Sequence, residues 1–563
     1  MNRYSRAHPD EDQLLPHSRK RNNNEPTDLT ARDRTRSCRY WTPFLGAFTL
    51  FGVFAGVLYI PSHRIWHPTP TNISSEVSPL NLTKTLLPLN DSVLTDGLVH
   101  PNILALYAHQ SRTLEQASAR YYLKSGRAPP PSYDKWFAFA QENNCLIDEY
   151  DRIQRDFEPF YQLARDHPAH FQEMIDSGRD MMLRDPRGMI TIRIRDGDVH
   201  LPKYTGTPFD EDLQVIVEQF VHILPDMEFL LNDHDEPRVV FDVLAIGAQK
   251  DAMRLRDPDP FRISPVPSAD FFRKQSGCDR IAHTPSGFVS DPVDDVAFLR
   301  SSSASDFTTD LWPLLSMAKI SPCFSDILFP GPYYYDQSRW SSKFLRPNDI
   351  AWENKTSKLY WRGASTGGRI YGDNYRAFPR FRLVELGRNH SELIDARMTT
   401  FAGTHCTEDC DAAAIEAEYD IEGPAAPKEA VYGFKYLLDV DGDAFSGRFL
   451  GLLRSGSLVF KSTAFEEYFT DWLRPFEHYI PVRPDLGDLV DKVQWARDNE
   501  AEARAIQEQG MQFAERVMTD RQNDCYFAAV LLEWGRLQGL AGNVNANETV
   551  NGMPEAKETG TMM

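Results

Sequence analysis

Residues 434–482, FKYLLDVDGDAFSGRFLGLLRSGSLVFKSTAFEEYFTDWLRPFEHYIPV, decide the fold. The aromatic and apolar run from Phe434 to Val440 reads as a buried strand. An acidic glycine turn follows at Asp441-Gly442-Asp443. Ser446 then has the position of a helix N-cap, with Arg448 in the first turn and Phe449, Leu452 and Leu453 on the inner face. Ser457-Leu458-Val459-Phe460 reads as the next strand. Strand, short loop, helix and strand make half of a doubly wound sheet. Ligands bind at the carboxyl edge of such a sheet, where a helix start and the charges of Lys435 and Arg448 suit a phosphate. On pattern alone the segment fits equally an ordinary αβ unit with surface charges.

The whole chain has 563 residues, enough for two domains with appendages. Its formal net charge of −20 argues against nucleic acid as a partner. Residues 1–40 are polar and Arg-rich, the composition of a disordered cytosolic tail. Trp41 to Ile60 is uncharged and long enough to cross a bilayer as a helix. Arg32, Arg34, Arg36 and Arg39 precede it and only Arg64 follows closely, which predicts a type II anchor with the bulk of the chain in the lumen. Residues 61–103 read as a stem, with N-glycosylation sequons at Asn72, Asn81 and Asn90; others stand at Asn354, Asn389 and Asn547. Cys145, Cys278, Cys323, Cys406, Cys410 and Cys525 form an even lumenal set available for pairing. Cys406 and Cys410 lack a second Cys/His pair at ligand spacing, so a disulfide or two structural thiols is expected there, and no metal.

The folded part divides into residues 104–350 and 351–540, with a disordered tail at 541–563. In the first half, Met227–Leu231 reads as a buried strand ending in Asn232-Asp233-His234-Asp235-Glu236-Pro237. Asp235 at that edge is placed to act as a general base, although the spacing alone also fits a turn residue. In the second half, Leu359 to Arg369 reads as a strand running into a Gly/Ser/Thr loop whose N–H groups suit phosphate oxygens. This loop matches neither the P-loop nor the dinucleotide fingerprint.

Together Trp361-Arg362-Gly363, Lys435-Tyr436, Ser446 with Arg448, Ser455–Phe460 and His478–Val482 resemble the family 90 glycosyltransferases. These include fungal capsule-associated xylosyltransferases and animal protein O-glucosyltransferases. Leu224–Glu228 with Asn232-x-x-Asp235-x-Pro237 resembles the family's acceptor-side motif, and Gly126–Pro131 the fungal branch. The likeness covers roughly residues 104–540. It implies a GT-B fold, two Rossmann-like domains around a cleft, and transfer with inversion. It implies that Asp235 is the base, and that Arg362, Gly363, Ser365, Lys435, Asp441, Ser446 and Arg448 surround the nucleotide sugar. It further implies a UDP-sugar donor carrying xylose or glucose, a glycan, glycolipid or protein acceptor, and a Golgi or other secretory-pathway membrane. No cofactor is required on this reading. Mn²⁺ is the alternative, since Asp439-Val440-Asp441 and Asp441-Gly442-Asp443 both satisfy the D-x-D pattern. The competing classes are a glycoside hydrolase, which leaves the phosphate-type loops unexplained, and a non-catalytic lumenal lectin or scaffold.

Overall fold

The computed structural model describes residues 99–184, 189–201, 209–239, 311–321, 324–342, 350–368, 370, 372–403, 406, 409–421 and 426–542. The expected cytosolic tail, the expected membrane anchor and nearly all of the expected stem lie outside these, as do residues 240–310 and 543–563. Among the described residues no helix is long and apolar enough to cross a membrane.

The second half matches the expected doubly wound pattern. Its strands are β7 (Thr356–Ala364), β8 (Ile394–Thr400), β9 (Phe434–Val440), β10 (Leu458–Ser462) and β12 (Ile480–Val482). They form a five-stranded sheet in the order β12-β10-β9-β7-β8, and every pairing is parallel. β9 is central and covered on both faces, which is why its sequence is a continuous apolar run. Leu437 packs on one hydrophobic cluster, while Tyr436, Leu438 and Val440 pack on another. The chain leaves β7 towards β8 and returns on the other side at β9. The strand order therefore reverses between β7 and β9, and a crevice opens at their carboxyl ends.

The first half departs from the expectation of a second Rossmann-like sheet. Helices α1 (Pro101–Ala108), α2 (Leu114–Ser125), α3 (Tyr133–Glu142), α4 (Asp151–Asp166) and α5 (Pro168–Arg184) precede a mixed sheet. Its strands are β1 (Met189–Arg195), β2 (Asp198–His200), β3 (Met227–Asn232), β4 (Leu315–Ser316) and β6 (Ile327–Leu328), in the order β2-β1-β3-β4-β6. β1 runs antiparallel to both β2 and β3, whereas β3, β4 and β6 are parallel. The local cause is the turn at Asp196-Gly197, where both residues have positive φ (52° and 82°). That geometry folds a strand back as a hairpin. Helix α6 (Asp210–Glu218) follows, and a short 3₁₀ turn over Val221–Ile223 finishes the segment.

Two elements fasten the halves together. β5 (Ala318–Lys319) pairs antiparallel with β11 (Glu466–Glu467), and Arg152 of α4 binds Glu466 at 2.8 Å and Asp471 at 2.6 Å. After α10 (Leu489–Asp498) and α11 (Glu500–Arg516), the last helix α12 (Asp520–Gly542) returns to the first half and packs on α3, α4 and α5. It is held there by the Cys145–Cys525 disulfide, by Trp136 Nε1 donating to Cys525 O (2.9 Å), and by Trp534 Nε1 donating to Glu228 O (2.7 Å). Cys406 and Cys410 form the second disulfide. Asn354 and Asn389 are exposed, as glycan acceptors must be.

Because the Cys145–Cys525 bridge closes a separation of 380 residues, its removal should be costly. Cys145→Ser is expected to lower stability by about 2–5 kcal/mol in denaturant unfolding without reductant. An unchanged midpoint would mean that α12 docks without help from the bridge.

Candidate active site

At the β7/β9 crevice two loops leave the sheet side by side, and one guanidinium ties them together. Arg380, near the start of α7 (Pro379–Asn389), donates to Ala364 O (3.0 Å) and Thr366 Oγ1 (2.5 Å) of the first loop and to Asp441 O (3.0 Å) of the second. Gly367 N–H donates to Asp443 Oδ1 at 3.0 Å, and Gly367 has a φ of 141°, which a side chain would resist. The sequence reading missed Arg380. A signal was present: Pro379 marks a helix start, and an arginine in a first turn opposes the helix dipole unless something else engages it.

Beside these loops lies a cleft of about 960 Å³, open to solvent and lined by Trp361, Arg362, Arg380, Lys428 and Arg448 among others. The lining is basic, which suits an anionic ligand. Arg448 donates through Nη1 to Arg362 O at 2.7 Å, while its buried Nη2 has no partner among the described residues. Trp361 Nε1 and Ser446 Oγ are also buried without partners. Buried polar atoms left unpaired cost free energy, and they gather at binding sites.

Ser446 is not the helix N-cap that its position suggested. Helix α9 (Phe449–Leu453) begins later, with Arg448 in the cap position and no side-chain cap. The turn before it is used for packing instead: Ala444 and Phe445 are buried, and Gly447 rests on the ring of Tyr333. A Cβ at Gly447 would stand 2.7 Å from Tyr333 Cγ.

The remaining second-half candidates divide. Gly363 lies against the Trp361 ring, where a Cβ would come within 2.7 Å of it. Arg362 is turned towards Asp395, with Nη2 at 2.7 Å from Oδ1 and its guanidinium 4.4 Å above Tyr360. Ser365 is fully buried, and its Oγ accepts the Ala402 N–H at 2.8 Å, so it braces the loop from inside. Lys435 is not brought to this group. It sits at the amino end of β9, paired with Glu500 and 5.4 Å from the Trp352 ring, because its place in the strand is opposite the crevice. Asp441 Oδ2 accepts the Ala464 N–H at 2.7 Å, and burial pushes its carboxyl up to about 7.

From the first half, Asp235 arrives on the loop after β3. Asn232 shapes that loop by donating to Glu236 O (2.7 Å) and accepting the His234 N–H (3.1 Å). Tyr333 Oη donates to Asp235, 3.1 Å from Oδ1 and 3.4 Å from Oδ2. The Tyr333 ring thus lies between the base candidate and the Ser446–Arg448 turn. Glu236 is buried and raised well above the usual carboxylate range, first by burial and then by Asp443 and Asp235. The acidic loops of the two halves therefore face each other. His234 is depressed to about 4 by burial and by Arg238, which leaves it neutral at pH 7 and a poor proton donor.

Below the site, Lys461 Nζ is buried 2.9 Å from Asp439 Oδ2 and 3.5 Å from Glu467 Oε2, and Tyr334 donates to Glu467. One ammonium faces Asp439, Asp441 and Glu467. It cannot neutralise all three, and burial pushes Glu467 up to about 7. Since the folded chain holds this proton well above its ordinary value of 4.5, stability should fall as pH rises from about 4.5 to about 7. Glu467→Gln should flatten that slope, with Asp441 supplying what remains. Urea unfolding at pH 5 and 7.5 reads it, and an unaltered slope would refute the assignment.

Comparison with known proteins finds similarity to one family of glycosyltransferases. Residues 293–555 match the profile of Glycosyl transferase family 90. Protein O-glucosyltransferase 2 of Danio rerio is 31% identical over 191 residues, 33% of this chain and 34% of that one. Protein O-glucosyltransferase 3 of Mus musculus is 29% identical over 190 residues, again 33% and 34%. Protein O-glucosyltransferase 1 of Homo sapiens is 29% identical over 248 residues, 40% of this chain and 57% of the relative. The chain thus spans from about a third to over half of the length of these relatives. The crevice between β7 and β9, with its basic lining, falls inside the region that is similar to glycosyl transferase family 90.

Proposed function

We propose that the chain is an inverting glycosyltransferase of the GT-B type that moves a sugar from a UDP-sugar to an acceptor hydroxyl. The observation that carries this reading is the meeting of Asp235 with the Ser446–Arg448 turn across the Tyr333 ring. In the proposed reaction Asp235 takes the acceptor proton as the acceptor oxygen attacks C1. The bond from C1 to the diphosphate oxygen breaks, and its electron pair leaves with UDP. Arg448, whose Nη2 is unpartnered, and Arg362 stabilise that charge, and Ser446 supplies a hydroxyl nearby. Arg380 holds the loops, Gly363 seats the Trp361 ring, Ser365 braces from within, and Asp441 shapes the turn. Lys435 is assigned a structural part.

We place no metal in this mechanism. Asp439 is held by Lys461, and Asp441 and Asp443 each give an oxygen to a backbone N–H. With these carboxylates engaged inside the protein, the reading takes no metal at the D-x-D pairs. The two disulfides among the described residues support an oxidising compartment, consistent with a lumenal domain of the Golgi or another secretory membrane. The names of the relatives favour glucose and a protein acceptor. The Gly126–Pro131 run favours xylose and a fungal capsule-type glycan or glycolipid.

Thermal unfolding with UDP tests the reading. Saturation at about a hundredfold over Kd adds about 2.7 kcal/mol to the folded state. Asp235→Asn is expected to keep that stabilisation while turnover falls by about two to four orders of magnitude. Arg448→Ala should weaken UDP binding about tenfold to a hundredfold. A folded protein indifferent to UDP would instead support a non-catalytic lectin or scaffold. Loss of the UDP response in Asp235→Asn would contradict the base assignment.

A further inference from the structure

A second cavity, open to solvent and of about 500 Å³ with that open space counted, lies in the first half between α2, α3, α4 and α12. It shares no lining residue with the cleft at β7 and β9. Tyr121, Tyr133, Trp136 and Tyr150 form its walls as a continuous chain of ring contacts, at 5.6, 5.1 and 5.4 Å between successive centroids.

Its charged groups are already matched with each other. Arg120 binds Asp148, which also accepts from the backbone and hydroxyl of Ser111. Lys124 binds Asp151 at 2.7 Å and donates to Asp148 O at 2.6 Å. Glu533 accepts from Tyr121 and Tyr161 and pairs with Arg536 at 2.5 Å. A cation or an anion entering here would displace an existing pair and be repelled by half of it.

Two neutral polar groups of the cavity remain uncommitted. Tyr133 is buried, with Asp148 and Glu533 nearby, yet its hydroxyl makes no hydrogen bond among the described residues. The Gln154 amide also lines the cavity and makes none. Aromatic walls, neutralised charges and an open hydroxyl and amide define a ligand that is uncharged, with an apolar face and several hydroxyls. We propose that this cavity is a saccharide-binding site, separate from the transfer cleft, that takes a neutral pyranose unit. It rests on the transferase reading only for its purpose, which is to hold a glycan that the enzyme elongates or carries. The binding itself stands on the cavity.

The test is saturation-transfer NMR on the purified full chain with methyl β-D-xylopyranoside, methyl β-D-glucopyranoside and methyl α-D-mannopyranoside, each with and without saturating UDP. At least one glycoside should bind and stay bound when UDP is added. Tyr133→Phe and Gln154→Leu should each weaken that binding roughly tenfold. Neither removes an existing hydrogen bond, so the melting temperature and its response to UDP should not move. Three results would overturn the proposal: no glycoside binds, UDP displaces the glycoside, or both variants bind as the parent does. Binding that needs Tyr133 in a chain that ignores UDP would sustain this site while removing the transferase reading.

Discussion

One buried ammonium, Lys461 Nζ, is the point on which the junction of the two halves rests. It projects from β10 to Asp439 of β9 and to Glu467 of β11, and β11 is paired with β5 of the first half. Tyr334, also from the first half, donates to the same Glu467. Removing the lysine would leave several carboxyl groups buried with no counter-ion, a loss of about 3–5 kcal/mol when a buried pair is broken. Its position also fixes Asp439 two residues before Asp441, so the turn that shapes the crevice starts from a strand that cannot slide. The polar contacts at the site stand on this foundation.

The second half was legible in its sequence because both faces of its central strand are buried. A run such as Phe434–Val440 has few alternatives, and the observed strand has those bounds. Met227–Leu231 was equally clear as a buried run, and the strand extends one residue further to Asn232. The first sheet was less so: β4, β5 and β6 have two residues each, too short for a periodic signal, and their place comes from tertiary pairing. Side-chain roles were the least legible. Ser365 and Ser446 lie in similar loops, yet one hydroxyl is spent on Ala402 and the other has no partner among the described residues. Lys435 stands five residues from Val440, which in a strand is the far end of the sheet. Arg380 carries no motif and is recognised only by the carbonyls it gathers.

The candidate active site is a contact between two loops of opposite origin, and its economy is steric as much as electrostatic. Gly447 has no Cβ where Tyr333 needs room, and Tyr333 in turn presents its hydroxyl to Asp235. A displacement of the 446–448 turn by a ligand would reach the carboxylate through one rigid ring. Phe209, Trp340 and Phe445 surround that ring, with centroids 5.8, 6.3 and 5.7 Å away, which limits its freedom to absorb the movement.

The return of α12 to the first half has a consequence for how the chain is made. Cys145 emerges from the ribosome early, and its partner follows 380 residues later. At ordinary rates of synthesis, about 5–20 residues per second, the interval is roughly 20–80 s. Throughout it Trp136, Leu146 and Tyr150 lack the helix that covers them, and Cys145 remains an open thiol. The parallel sheet of the second half is complete before that time. The first half is therefore the last to close, because the helix that covers it is made after the second sheet.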